Sequence, residues 1–189
     1  MPKVTIVYHS GFGHTAKQAE AVADGARAGG ADVTVVKAED LADSDSGPWD
    51  DLHGADAIIF GSPTYMGSVS GPFETFIDAT SKTWYQQGWK NKLAAGFTNS
   101  GSLIGDKGQT LHRLITLAMQ HGMLWVGTGL ISGDPQKPDD PENLNPLGAY
   151  EGAASYSANV PPEEMPRAAD LATARHLGQR VAEQAARLG

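Results

Sequence analysis

Three short runs of this chain carry residue types that could do chemistry. The first is Ser10-Gly11-Phe12-Gly13-His14-Thr15, which offers two hydroxyls, one imidazole and no Lys or Arg. It lies between an apolar, β-branched run and a helical pattern. A strand that turns into a helix through such a loop aims free backbone N–H groups at one point, and the helix dipole makes that point mildly positive. A phosphate monoester fits there; an ordinary tight turn is the plainer alternative. A triphosphate loop is excluded, because its Gly-Lys-Ser/Thr ending is missing. Ala16, an accepted variant, stands where a dinucleotide fingerprint has its third glycine. The acidic residue which that motif needs about 20 residues on has no clean candidate. The second run, Ser62-Pro63-Thr64-Tyr65-Met66-Gly67-Ser68, sets an aromatic ring and a thioether where strand ends usually carry small polar residues. They could stack on a flat ligand or plug core gaps. The third run, Thr98-Asn99-Ser100-Gly101-Ser102, offers donors and acceptors suited to the polar edge of a heterocycle, or forms a plain polar loop. His121, before Gly122 at a helix end, reads as a partner of the helix dipole or as a further ligand contact.

The elements that must position these runs alternate between strand and helix. Lys3 to Tyr8 and Asp32 to Lys37 read as strands, with Ala16, Ala19, Val22, Ala23 and Ala26 at helical spacing between them. Ala57-Ile58-Ile59-Phe60 is apolar on both faces, the pattern of a central parallel strand within Ala55 to Gly61. Pro72, capped by Ser70 or Gly71, opens a helix that runs to about Thr80. Leu93 to Thr98 reads as a fourth strand and Leu124 to Gly127 as a fifth, with the Leu111, Leu114, Ile115, Ala118 helix between them. Residues 129 to 165 hold six prolines and little apolar periodicity. They read as a loop excursion of the kind that is usually functional or interface-forming. A final helix starts near Pro166. Five βα units with right-handed crossovers make a doubly wound α/β fold. The commoner of two plausible strand orders is 2-1-3-4-5, which puts ligands at the carboxyl ends of the strands. The three runs fall there.

Composition narrows the function classes. The 189 residues suit one domain, here 1–189, with the excursion as an insertion. The net charge of −8, without a basic cluster, argues against nucleic acid as a partner. Absence of cysteine excludes disulfides, thiol catalysis and Cys-ligated metals, and it suits a cytoplasmic setting. The six histidines lack metal-pair spacing. A strand beginning at Lys3 leaves no room for a signal peptide, and no apolar run reaches the ~20 residues of a membrane span.

In order and spacing, the motifs resemble the flavodoxin-like WrbA-type NAD(P)H:quinone oxidoreductases over essentially the whole chain. The matching motifs are Ser10-Gly11-Phe12-Gly13-His14, Gly61-Ser62-Pro63-Thr64-Tyr65-Met66-Gly67, Val69-Ser70-Gly71 and Phe76-Ile77-Asp78-Ala79-Thr80. Trp84, Lys92-Leu93-Ala94, His121-Gly122-Met123, Leu147-Gly148-Ala149 and the Ala174 to Ala182 segment follow in sequence. The resemblance implies a three-layer α/β/α sandwich with a five-stranded parallel sheet of order 2-1-3-4-5. It also implies FMN, with its phosphate on Ser10 to Thr15. The ring would lie against Pro63, Thr64, Tyr65, Met66 and Gly67, its polar edge on Asn99, Ser100, Gly101 and Ser102, with His121 beside it. Phe12 would face the nicotinamide or quinone, and Trp84 would close the pocket of a neighbouring subunit in a tetramer or dimer. The family's Arg-Phe pair is Tyr65-Met66 here, and Leu103-Ile104 interrupt its glycine-rich third loop. The implied activity is two-electron transfer from NAD(P)H through FMN to a quinone, with His121 or solvent as proton source. Its rivals are an electron-carrier flavodoxin and a non-enzymatic regulator.

Overall fold

The computed structural model describes residues 1–189. Strands β1 (Lys3–Tyr8), β2 (Asp32–Lys37), β3 (Ala57–Pro63) and β4 (Leu93–Ser100) form a parallel sheet with β5 (Leu124–Trp125) and β6 (Ala153–Tyr156). Its order is β2-β1-β3-β4-β5, with β6 also paired to β4. Every residue of β3 and β4 is buried, as expected of central strands covered on both faces. One face packs against α1 (His14–Ala28) and α6 (Ala168–Leu188): Ile6, Ile59, Ala95 and Phe97 meet Val22, Ala26, Leu177 and Val181. The other face packs against α2 (Trp49–His53), α3 (Gly71–Ala79) and α5 (Lys107–Gln120), where Val7, Ile58 and Phe60 meet Leu52, Phe73, Phe76 and Leu114. A short helix, α4 (Ser81–Tyr85), follows α3. The result is a three-layer sandwich in the expected strand order.

Local chemistry starts the helices where the sequence places them. Ser70 caps α3 by accepting from the Phe73 N–H at 3.4 Å, and Pro72 sits in the first turn. Helices α1 and α6 touch backbone to backbone. A Cβ at Gly178 would stand 1.9 Å from the Val22 carbonyl oxygen, and one at Gly25 would stand 1.8 Å from that of Arg175.

The fifth position of the sheet differs from the sequence reading. The strand expected over Leu124 to Gly127 is only Leu124–Trp125, paired with Leu93 and Ala94. The chain then leaves the sheet and returns as β6, paired with Phe97 to Ser100. The 129–165 excursion therefore contains a strand that completes the sheet. Its cause is the ladder: the upper half of β4 is fully buried, so its backbone groups require partners.

Candidate active site

The carboxyl ends of β1, β3, β4 and β6 surround a cleft of about 640 Å³. Ser10 to Thr15 forms its floor. Gly13, at φ 92°, turns the chain into α1 in a conformation that costs glycine little. Ser10 Oγ accepts from the N–H groups of Gly13 and Ala16, each at 3.1 Å, and so holds the loop shut. The N–H groups of Gly11, Phe12, His14 and Thr15 have no partner within the protein. Thr15 is otherwise buried and lines the cleft beside them. His14 Nε2 donates to the Val160 carbonyl at 2.8 Å, tying the segment after β6 over this loop. Phe12 stands on the rim, 76% exposed.

After β3, Tyr65 and Ser68 exchange backbone hydrogen bonds of 2.9 and 3.1 Å. Met66 (φ 49°) and Gly67 (φ 79°) form the tip of this turn, two successive left-handed residues as tight hairpin turns require. Met66 consequently projects into solvent, and neither tip residue lines the cleft. Thr64 turns inward: its hydroxyl meets that of Thr98 at 2.8 Å and its N–H donates to the Asn99 carbonyl. Of the five residues expected here, Pro63 and Tyr65 line the cleft. Burial raises the Tyr65 phenol above its ordinary pKa.

After β4, Asn99 Oδ1 accepts from the hydroxyls of Ser155 (3.0 Å) and Ser157 (2.8 Å), which leaves its NH₂ without a protein partner. Gly101 and Ser102 complete this wall. The buried Lys107 ammonium donates to the carbonyls of Ser102, Leu103 and Ile104, so it shapes the loop from within. Burial lowers its pKa to about 8, with Asp170 opposing that shift.

Two expected residues lie elsewhere. His121 caps the carboxyl end of α5, a helix that starts beside the cleft and runs back to the amino end of the sheet. There it is buried, with Nε2 2.9 Å from the Thr80 hydroxyl and its ring 4.4 Å from that of Trp89. Burial lowers its pKa to about 4, so the ring is neutral at pH 7. Trp84 lies on α4 at the same end, beside the Thr83–His53 hydrogen bond, and is half-exposed. It reaches no part of the cleft of its own chain.

Sequence reasoning missed two contributors. Ser157 to Pro162, after β6, form the fourth wall of the cleft; the only signal was the length and irregularity of the excursion. His9 follows β1 and precedes the floor loop; it stands behind Gly11, outside the lining itself, with its Nδ1 2.6 Å from Glu39 Oε1. No Lys, Arg, Asp or Glu lines the cleft, whose only titratable side chains are those of His14 and Tyr65.

This sheet order, with an anion-suited loop after β1 and polar or aromatic loops after β3 and β4, defines a flavodoxin-like protein. The crystal structure of the flavodoxin, WrbA-like protein from Agrobacterium tumefaciens is 41% identical, with each chain 99% covered and a TM-score of 0.75. A flavodoxin from the domain Archaea, at 22% identity, TM-score 0.67 and coverages of 97% and 99%, shares the fold. Residues 3–136 match the NADPH-dependent FMN reductase family, and the chain belongs to that family. Among curated relatives, flavodoxin FldP of Pseudomonas aeruginosa is 40% identical, with 96% of each chain covered. An NAD(P)H dehydrogenase (quinone) of Archaeoglobus fulgidus is 36% identical over the full length of both.

Proposed function

We propose that the protein is an FMN-dependent NAD(P)H:quinone oxidoreductase. One observation carries the cofactor: the N–H groups of Gly11, Phe12, His14 and Thr15 lack protein partners and lie, with the Thr15 hydroxyl, at the amino end of α1 in a cleft lined by no charged side chain. That set suits a phosphate monoester held by neutral donors and the helix dipole. Ser10, Gly11, Phe12, Gly13, His14 and Thr15 would hold the phosphate, Ser10 and Gly13 by shaping the loop. Pro63 and Tyr65 would flank the ring, while the NH₂ of Asn99 and the loop through Ser100, Gly101 and Ser102 would meet its polar edge. Bound FMN supplies the two-electron chemistry, which no side chain of this protein can.

The open cleft admits a nicotinamide or a quinone past Phe12, one after the other, as a ping-pong cycle requires. Curated relatives named NAD(P)H dehydrogenase (quinone), at 32–36% identity, support the same activity. Assembly belongs to the same proposal. Trp84 and Tyr85 are both exposed on α4, so Trp84 would serve the cleft of a second copy in a dimer or tetramer. A cysteine-free chain suits a reducing cytoplasm.

The electron-carrier reading has its own support: the 40% identical relative is named a flavodoxin, and the net charge is −8. Steady-state assays of the FMN-loaded protein test the proposal. Reduction of 1,4-benzoquinone by NADH or NADPH with parallel double-reciprocal lines is expected. Absence of turnover with both nucleotides would favour the carrier.

A further inference from the structure

The reaction NAD(P)H + H⁺ + quinone → NAD(P)⁺ + hydroquinone consumes one proton from outside the hydride donor. His121 cannot deliver it from the far end of the sheet, and His14 Nε2 is engaged by Val160. Tyr65 is the other titratable residue lining the cleft, and its hydroxyl has no protein partner. Gly11 separates it from a second free group. The point where a Gly11 Cβ would stand is 2.6 Å from Tyr65 Oη and 3.7 Å from His9 Nε2. His9 is buried and fixed: its backbone N–H donates to the Gly61 carbonyl at 3.0 Å, and its Nδ1 pairs with Glu39. Glu39 is partly exposed and shares a small hollow with Lys37, Tyr8, Ser10 and Gly13, which opens this end of the array to solvent. Of the ionisable groups here, Glu39 is bonded to His9, Tyr8 and Lys37 share the hollow with Glu39, and Tyr65 lies across Gly11.

We propose that Tyr65 is the general acid of quinone reduction, with His9 and Glu39 as positioning residues that return its proton. This rests on the quinone reading. The Tyr65 O–H bond breaks as an O–H bond forms on the quinone oxygen, while the hydride equivalent that began on NAD(P)H supplies both electrons. The Tyr65 oxygen is then reprotonated by the imidazolium form of His9, which gives up its Nε2 proton while Nδ1–H stays on Glu39, and neutral His9 regains that proton from solvent. Donor and acceptor are matched, because a hydroquinone is itself a phenol. A phenol is protonated at neutral pH in any case, and burial moves Tyr65 further in that direction. Glycine at position 11 keeps the gap between phenol and imidazole open.

Single-turnover mixing of the FMN-loaded protein separates flavin reduction by NADPH from reoxidation by 1,4-benzoquinone. Tyr65→Phe is expected to slow reoxidation about a hundredfold, the usual scale of a general acid. It should slow reduction far less and abolish the solvent isotope effect on reoxidation. His9→Gln should slow reoxidation roughly tenfold and reduce its solvent isotope effect, with Glu39→Gln intermediate. Nitrogen-15 NMR of the FMN-free protein supplies a readout independent of turnover: Tyr65→Phe should shift the His9 Nε2 resonance. Reoxidation of Tyr65→Phe at the normal rate, or an unmoved His9 resonance, overturns the proposal alone. A native protein that NADPH reduces but benzoquinone does not reoxidise overturns the quinone reading, and the acid role with it.

Discussion

Ser10 uses one hydroxyl to fold the floor of the cleft. Because its Oγ accepts from both Gly13 and Ala16, Ser10→Ala removes the two bonds that tie the floor loop to the first turn of α1. It should cost about 1 kcal/mol in the melting of the FMN-free protein. It should also weaken FMN binding roughly tenfold by fluorescence quenching, as expected of a hydrogen bond near a charged group. His121 matters through pH. Its folded pKa of about 4 lies below its ordinary value, so the unfolded chain binds the extra proton first. The stability it contributes is fully present above pH ~6.5 and is lost as the pH falls toward 4, by up to about 3 kcal/mol. His121→Gln should flatten that part of the stability profile measured by denaturant unfolding. The floor loop was legible in the sequence because glycines and hydroxyls encode backbone geometry directly. His121 was not, because a histidine before a glycine looks the same at either end of a sheet. Met66 reads from its thioether as a contact residue, and its φ of 49° places it at the exposed tip of a turn.

At the scale of elements, the strands and helices with strong periodicity were readable, and so was the order of the sheet. Strand β6 was not. Ala153-Ala154-Ser155-Tyr156 has no β-branched residue and no alternation to detect, and it is a strand because the upper edge of β4 demands a ladder. With it went the fourth wall of the cleft, which depends on β6 for its position and on His14 for its closure. The α1–α6 contact was not read from the sequence, since an alanine-rich face does not say that its partner is another helix. Gly178→Ala tests that contact. A Cβ 1.9 Å from a backbone oxygen cannot be relieved by a side-chain rotation, so the helices must separate. The variant should lose about 2 kcal/mol and roughly 5 °C in Tm, read by thermal melting. A Tm within 1 °C of the parent would show that the two helices yield at no cost.

For the whole molecule, the fold is common to electron carriers and to reductases, so it does not decide between them. The cleft does more. Its lining carries no fixed charge, it opens past an exposed Phe12, and a phenol backed by an imidazole–carboxylate pair stands beside it. A carrier needs only an exposed edge for one electron at a time; a reductase needs room for a second ring and a proton for its product. The central claim is tested most directly by anaerobic rapid mixing of the FMN-loaded protein with NADPH and with NADH, followed at the yellow flavin absorbance. Full bleaching by at least one nucleotide within seconds, with colour returned by 1,4-benzoquinone, is the expected result. Flavin that stays oxidised with both nucleotides yet bleaches with dithionite would contradict the account and leave an electron carrier.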